Sequence, residues 1–191
     1  RLLRLVPPIP SLVSSAHNTN EEGRFRMLAY RLTDRLADIS TNVSEEAVQA
    51  FESQRALLPG RMYAIHNGID TEDFVFDQNA RDRIRTELSL SDSTPLIIAV
   101  GRLWEQKDYP SLLMAMSDLA CRSVKFRLAI IGDGPLRSEL KELAHSLGIA
   151  HQVGFLGVRH DVPALMSACD VFVLSSAWEG FGLVVAEAMA C

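Results

Sequence analysis

Two cations and two carboxylates stand at spacings that suit a charged, hydroxyl-rich ligand. Arg102 and Lys107 lie five residues apart in Gly101-Arg-Leu-Trp-Glu-Gln-Lys107-Asp108, and Glu179 and Glu187 lie eight apart in Glu179-Gly-Phe-Gly-Leu-Val-Val-Ala-Glu187. An anionic leaving group such as a nucleoside diphosphate needs its charge compensated while its bond to a sugar carbon breaks. Arg102 offers a planar fork of donors and Lys107 a compact charge. Preorganised groups of this kind each stabilise a charged transition state by a few kcal/mol, and two such cations can stand in for a metal. The backbone N–H groups of Gly180, Phe181 and Gly182 precede a predicted helix and add donors for phosphate or sugar oxygens. Carboxylates suit sugar and ribose hydroxyls because each accepts two hydrogen bonds at once.

Each of these residues also has a plainer reading. By spacing alone, Arg102 and Lys107 fit an ordinary charged surface, and Glu187 fits a solvated helix face as well as a cleft. Gly132 and Gly134, in Gly132-Asp-Gly134-Pro135, either let a ligand approach the backbone or only make a turn. Trp104 and Trp178 read as packing residues. Asn42-Val-Ser44 matches a glycosylation acceptor and is read as chance.

The elements that must position these residues follow from hydrophobic periodicity. Apolar runs at Leu96 to Val100, Phe126 to Ile131, Val153 to Leu156 and Val171 to Leu174 alternate with helical patterns, the rhythm of a parallel sheet covered on both faces. One helix follows Asp108 and Pro110 and carries Leu112, Leu113, Met116 and Leu119. The next has Pro135 in its first turn, then Leu136, Leu140, Leu143 and Leu147, with Gly148 as its stop. A short third starts at Asp161, a good cap. The expectation is a doubly wound α/β domain, whose ligand sits outside the carboxyl ends of the strands. Upstream, Phe25, Leu28, Ala29, Leu32 and Leu36 predict an amphipathic helix from Arg24 to Ala37. A strand at Ile39 to Val43 follows, then a helix from Ser44 toward Leu57, a strand at Tyr63 to Ile65, and a turn at His66-Asn-Gly-Ile-Asp70. The domain boundary is placed after this turn, giving residues 1–72 and 73–191.

Composition excludes several classes. With 191 residues, 48% hydrophobic and 23% charged, the chain reads as globular, and a net charge of -5 argues against a nucleic-acid binder. Three cysteines, Cys121, Cys169 and Cys191, make an odd count without paired spacing and are expected to be reduced, buried thiols. No carboxylate pair or His cluster has metal-ligand spacing, so no metal is predicted. No apolar run approaches the roughly 18 residues of a membrane span. Arg1-Leu-Leu-Arg-Leu-Val6 is too short for a signal sequence, so the expected location is cytoplasmic. Arg1 is not a methionine and Leu183 to Cys191 reads as a helix without a stop, so both ends read as cut.

The acidic run Glu179 to Glu187 resembles the E-x-x-x-x-x-x-x-E signature of retaining GT-B glycosyltransferases. Other landmarks agree in order. Ile65-His-Asn-Gly-Ile-Asp70 is similar to that family's interdomain turn, Gly101-Arg-Leu103 with Lys107 to its diphosphate-binding pair, and Gly132-Asp-Gly-Pro135 to its next loop. Asp170-Val-Phe-Val-Leu-Ser-Ser176 precedes the signature as it does there. The resemblance spans essentially the whole chain.

It implies a truncated, Rossmann-like donor-binding domain at 73–191, preceded at 1–72 by the C-terminal part of a second, acceptor-side Rossmann-like domain. Arg102 and Lys107 would hold the donor diphosphate, with Gly101 and Gly134 beside it. Glu187 would bind the ribose, and Glu179 would lie by the donor sugar with the Gly180, Phe181 and Gly182 amides. His17, in Ser14-Ser-Ala-His-Asn18, would reach that sugar from the acceptor side. His66 stands where the family usually has proline, a change expected to be tolerated.

The implied reaction moves a sugar from a nucleotide donor, UDP-hexose or UDP-N-acetylhexosamine, to a glycan or lipid-linked acceptor in bacterial polysaccharide biosynthesis. It needs no cofactor beyond that substrate, and the basic, apolar start Arg1 to Val6 suggests peripheral contact with the inner face of a membrane. Two alternatives stay open: a catalytically incomplete nucleotide-sugar-binding module, and a related epimerase or phosphorylase.

Overall fold

The computed structural model describes residues 11–17 and 24–191; Arg1 to Val6, singled out for membrane contact, lie outside the described residues. The chain forms two compact units. One runs to Gly68 and includes Trp178–Gly182, and the other comprises Ile69–Ala177 with Leu183–Cys191.

The first unit holds three parallel strands, β1 (Val13–Ser15), β2 (Ile39–Asn42) and β3 (Met62–Ala64), in the order β1-β2-β3. Helix α1 (Arg24–Thr33) connects β1 to β2, and α2 (Glu45–Ser53) connects β2 to β3. At the start of α2, Ser44 Oγ accepts from the Ala47 N–H at 3.2 Å, and Glu45 and Glu46 complement the positive end of the helix. Val48 and Phe51 of α2 bury against Met27, Leu57 and Met62, with Tyr30 edge-on to Phe51 at 5.3 Å between ring centres.

Helix α1 departs from the sequence expectation. Phe25 and Leu32, expected on the core face, are 89% and 74% exposed, and Leu28 is exposed as well. Met27 and Tyr30 face the core instead, and Asp34, only 3% exposed, closes that face through an ion pair with Arg61 at 2.9 Å. Two stripes with helical spacing run along this segment, and periodicity alone cannot say which one meets a partner. The helix also stops early, at Thr33, followed by a 3-10 turn at Asp34–Leu36.

The second unit is a doubly wound sheet. Strands β4 (Leu96–Val100), β5 (Arg127–Ile131), β6 (Val153–Gly157) and β7 (Val171–Phe172) are all parallel, in the order β6-β5-β4-β7. Its helices are α3 (Gln78–Glu87), α4 (Tyr109–Cys121), α5 (Arg137–Ser146), α6 (Val162–Ala168) and α7 (Leu183–Ala190). Side chains alternate along each strand. Ile97, Ala99, Leu128 and Ile130 pack against Leu112, Leu113, Met116 and Leu140 of α4 and α5. Leu96, Ile98, Ala129 and Ile131 pack against Ile84 of α3 and Leu165 of α6.

Helix α3 has no counterpart in the sequence reading. Asp77 caps it, accepting from the Asn79 and Ala80 N–H groups, and its arginines serve a distant carboxylate. Arg81 and Arg85 donate to Asp170, at the start of β7, at 2.6 and 3.0 Å, and the Leu96 N–H donates to the same carboxylate at 2.7 Å. Arg81 also meets the carbonyls of Ser167, Ala168 and Cys169, satisfying the open end of α6. Asp161, expected as a helix cap, instead gives both carboxylate oxygens to Arg159. Pro135 lies ahead of α5, which starts at Arg137.

The cysteines also differ from expectation. Cys121 is exposed because it lies on the opposite side of α4 from Leu112. Cys169 and Cys191 are half-buried, and burial pushes the Cys169 thiol up to about 11.

Burial raises the Asp170 carboxyl, but hydrogen bonds from Arg81, the Leu96 N–H and Arg85 outweigh it and hold the group below the ordinary carboxylate value. The stability these bonds supply is therefore present above that value and is lost as pH falls through the depressed one. Asp170→Asn is expected to lower the unfolding free energy by about 2 kcal/mol near neutral pH. The difference from wild type should shrink in acid, as measured by urea titration at both pH values.

Candidate functional site

Strands β4, β5 and β6 step to one side of the sheet in sequence order, while β7 lies on the other side of β4. The strand order therefore reverses between β4 and β7. In open parallel sheets the crevice outside the carboxyl ends at such a reversal is where ligands bind. The loop after β4 carries Arg102 and Lys107, and the loop after β7 carries Ser175 and Ser176.

Hydrogen bonds to backbone carbonyls tie these two loops together. Ser175 Oγ donates to the Lys107 carbonyl at 2.7 Å, and the Ala177 N–H donates to the Gln106 carbonyl at 2.9 Å. The buried Tyr109 hydroxyl donates to the Gly101 carbonyl at 3.1 Å. A Cβ on Gly101 would stand 3.1 Å from Lys107 Cε, so glycine there leaves room for the lysine stem to lie across the loop. Lys107, Tyr109, Ser175 and Ser176 come together at this end of the sheet, packed too closely to admit a water molecule between them. Arg102 is exposed, its guanidinium 4.7 Å from the centre of the Trp104 ring. Trp104, read from sequence as a packing residue, is thus itself half-exposed and serves as a cation–π support.

Gly132 and Gly134 are crowded by backbone. A Cβ on Gly132 would lie 2.1 Å from the Gly101 carbonyl oxygen, and one on Gly134 would lie 2.4 Å from that of Leu103. The Gly101 N–H donates to the Ile131 carbonyl, Leu103 N–H to Asp133, and Leu136 N–H to Leu103, at 2.9, 3.0 and 3.2 Å. What approaches these glycines is the backbone of the loop that bears Arg102. The Gly134 N–H is taken by its neighbour, the Asp133 carboxylate, at 2.8 Å.

Glu187 lies half-buried on α7 in this second unit, and burial raises its carboxyl above the usual value. In the first unit, His17 is exposed, Glu179 is half-buried, and Gly180 packs directly on the His17 carbonyl. Phe181 lies against His66, which sequence reasoning took as merely tolerated. A wider cavity of about 640 Å³ in the same unit, beside Arg31, Arg35, Glu52 and Arg55, includes none of the candidate site residues. Among the described residues no group of three His, Cys, Asp or Glu could hold a metal ion, and no helix is long and apolar enough to cross a membrane.

Sequence reasoning missed Trp104 as the partner of Arg102, and Tyr109 and Ser175 as braces on the backbone of the loop that bears both cations. Ser175 stood in a run already under scrutiny, but nothing local says that its hydroxyl meets the Lys107 carbonyl.

The doubly wound parallel sheet, with cations at its reversal point, is an α/β fold of the GT-B class. Anabaena HepE in complex with UDP-glucose superposes with a TM-score of 0.83 at 26% identity, over 95% of this chain and 51% of that one. The family model for glycosyl transferases group 1 matches residues 80–191, and the chain belongs to that family. EpsF of Bacillus subtilis (strain 168) is 31% identical over 189 residues, 95% of this chain and 49% of its own length. The GDP-mannose-dependent alpha-(1-6)-phosphatidylinositol monomannoside mannosyltransferase of Mycolicibacterium smegmatis is 33% identical over 165 residues, 81% of this chain and 42% of its own length. The chain spans about half the length of the curated relatives it matches.

Two outcomes follow from the geometry. Gly134→Ala forces the Leu103 backbone away and is expected to cost about 2 kcal/mol of stability by urea titration. For Glu187 the folded state holds its proton more tightly than the unfolded chain, so the carboxylate costs stability as pH rises through the carboxylate range. Glu187→Gln should therefore melt higher than wild type at neutral pH, with the advantage vanishing in acid.

Proposed function

We propose that the protein containing this chain is a retaining glycosyltransferase that moves a hexose or N-acetylhexosamine from UDP to a glycan or lipid-linked acceptor in bacterial polysaccharide biosynthesis. The observation that carries this reading is the placement of Arg102 and Lys107 at the reversal between β4 and β7. Support for the donor comes from HepE, solved with UDP-glucose, and for a lipid acceptor from the mycobacterial relative, whose name specifies a phosphatidylinositol mannoside. A lipid-linked acceptor would bring the cytoplasmic enzyme into peripheral contact with the inner face of its membrane.

In this reading Arg102 and Lys107 neutralise the departing diphosphate, with Gly101 and Gly134 shaping the loops that hold them, and no metal takes part. Glu187 accepts hydrogen bonds from the ribose, which accounts for a half-buried carboxylate kept at a cost to stability. Glu179, the amides of Gly180 to Gly182, and His17 serve the sugar. No carboxylate is assigned as a nucleophile, so retention follows from attack on the same face that the diphosphate leaves. Residues 1–72 are read as the end of an acceptor-side domain and 73–191 as most of a donor domain. Because the chain spans half of its relatives, this stretch alone is read as a nucleotide-sugar-binding module without turnover.

Calorimetric titration with UDP, GDP and ADP, with and without EDTA, tests the assignment. Chelator-insensitive UDP binding is expected, weakened about 100-fold in the Arg102→Ala, Lys107→Ala variant through loss of charge-assisted hydrogen bonds. Unchanged affinity in the variant would sink the diphosphate assignment, and preference for GDP would overturn the choice of UDP.

A further inference from the structure

Phe181 is flanked by glycines, and Gly182 has a φ of +69°, so this stretch has little stiffness of its own. Two of its contacts lie within the first unit. A Cβ on Gly180 would stand 2.1 Å from the His17 carbonyl oxygen and 3.1 Å from Val43 Cγ2, so the backbone rests directly on that wall. Next to it, the Phe181 ring lies 5.7 Å from the ring of His66, with their planes tilted by 36°.

His66 is itself anchored. The Ile65 N–H donates to the Asn42 carbonyl at 2.8 Å, extending the pairing of β3 with β2. At the next acceptor along, the Val43 carbonyl, the partner is a side chain: His66 Nδ1 lies 3.1 Å from it. A carbonyl only accepts, so Nδ1 carries the hydrogen and donates. That bond orients the imidazole whose face Phe181 meets. Proline at this position would supply neither an aromatic ring nor a side-chain donor.

We propose that His66 is a positioning residue for the donor sugar. By holding Phe181 it fixes the amides of Gly180 to Gly182 and the adjoining Glu179. The inference rests on the donor assignment made above. A purely structural His66 would steady the turn that follows β3 and change stability alone, leaving substrate constants untouched.

The test uses the full-length enzyme with His66→Ala, His66→Phe, Phe181→Ala and the His66→Ala, Phe181→Ala double variant. Hydrogen exchange at the Gly180 to Gly182 amides should quicken in His66→Ala, and donor KM should rise about 3- to 10-fold, the range of one aromatic contact. The acceptor KM should not move. His66→Phe, which keeps the ring and loses the bond, should recover part of the effect, and the double variant should be no worse than either single one. Unaltered exchange in His66→Ala overturns the inference whatever the activity. Quickened exchange with an unmoved donor KM, or single effects that multiply in the double variant, overturns the positioning role. A wild-type enzyme inactive with every nucleotide sugar would instead overturn the donor assignment, with exchange still reporting whether His66 holds the loop.

Discussion

Where the turn after β5 meets the turn after β4, two backbones touch with no room for a side chain between them. Gly132 and Gly134 make this contact possible, and three backbone hydrogen bonds along Gly101, Leu103 and Leu136 hold it. The loop that presents Arg102 is therefore braced on one side by another turn and on the other by the loop after β7, through Ser175 and Ala177. Bracing of this kind is what a charge-stabilising site requires, because donors that must reorganise when charge develops lose most of their advantage over water.

The cations of the second unit divide by what their partners leave over. Arg81 and Arg85 are committed to Asp170 and to carbonyls at the end of α6 and in the Ser91 to Thr94 turn. Arg159 is shared between Glu87 and Asp161. These arginines hold elements together: Asp170 joins α3, the start of β4 and the start of β7, and so sets which strand lies beside β4. Arg102 differs, because its guanidinium rests on an aromatic face and its donor edge stays exposed. The reversal point depends on one set of charges and presents another.

Glu187 illustrates a related tension. A carboxylate raised by burial costs stability at neutral pH. In the function proposed above, that cost is offset by the hydrogen bonds the carboxylate would accept from the donor ribose.

The sequence by itself determined the local terms. Continuous apolar runs marked β4, β5 and β6, because strands buried on both faces need apolar residues at every position. The stretches leading into α2 and α4 showed their caps, and Arg102, Lys107 and Glu187 stood out as candidates by residue type and by position after a strand or within a helix. Choices among partners were decided only by tertiary structure. Periodicity offered two stripes on α1, and the core built by Phe51, Leu57 and Met62 took the one through Met27 and Tyr30. Asp161 looked like a cap until Arg159, held from the far side by Glu87, took its carboxylate, and nothing local in the glycines after β5 said that they meet the Leu103 backbone. The physical reason is common to all three. Periodicity and capping act over a few residues along the chain, whereas an ion pair, a backbone contact or a strand neighbour depends on residues tens of positions away, whose proximity exists only once the chain has folded.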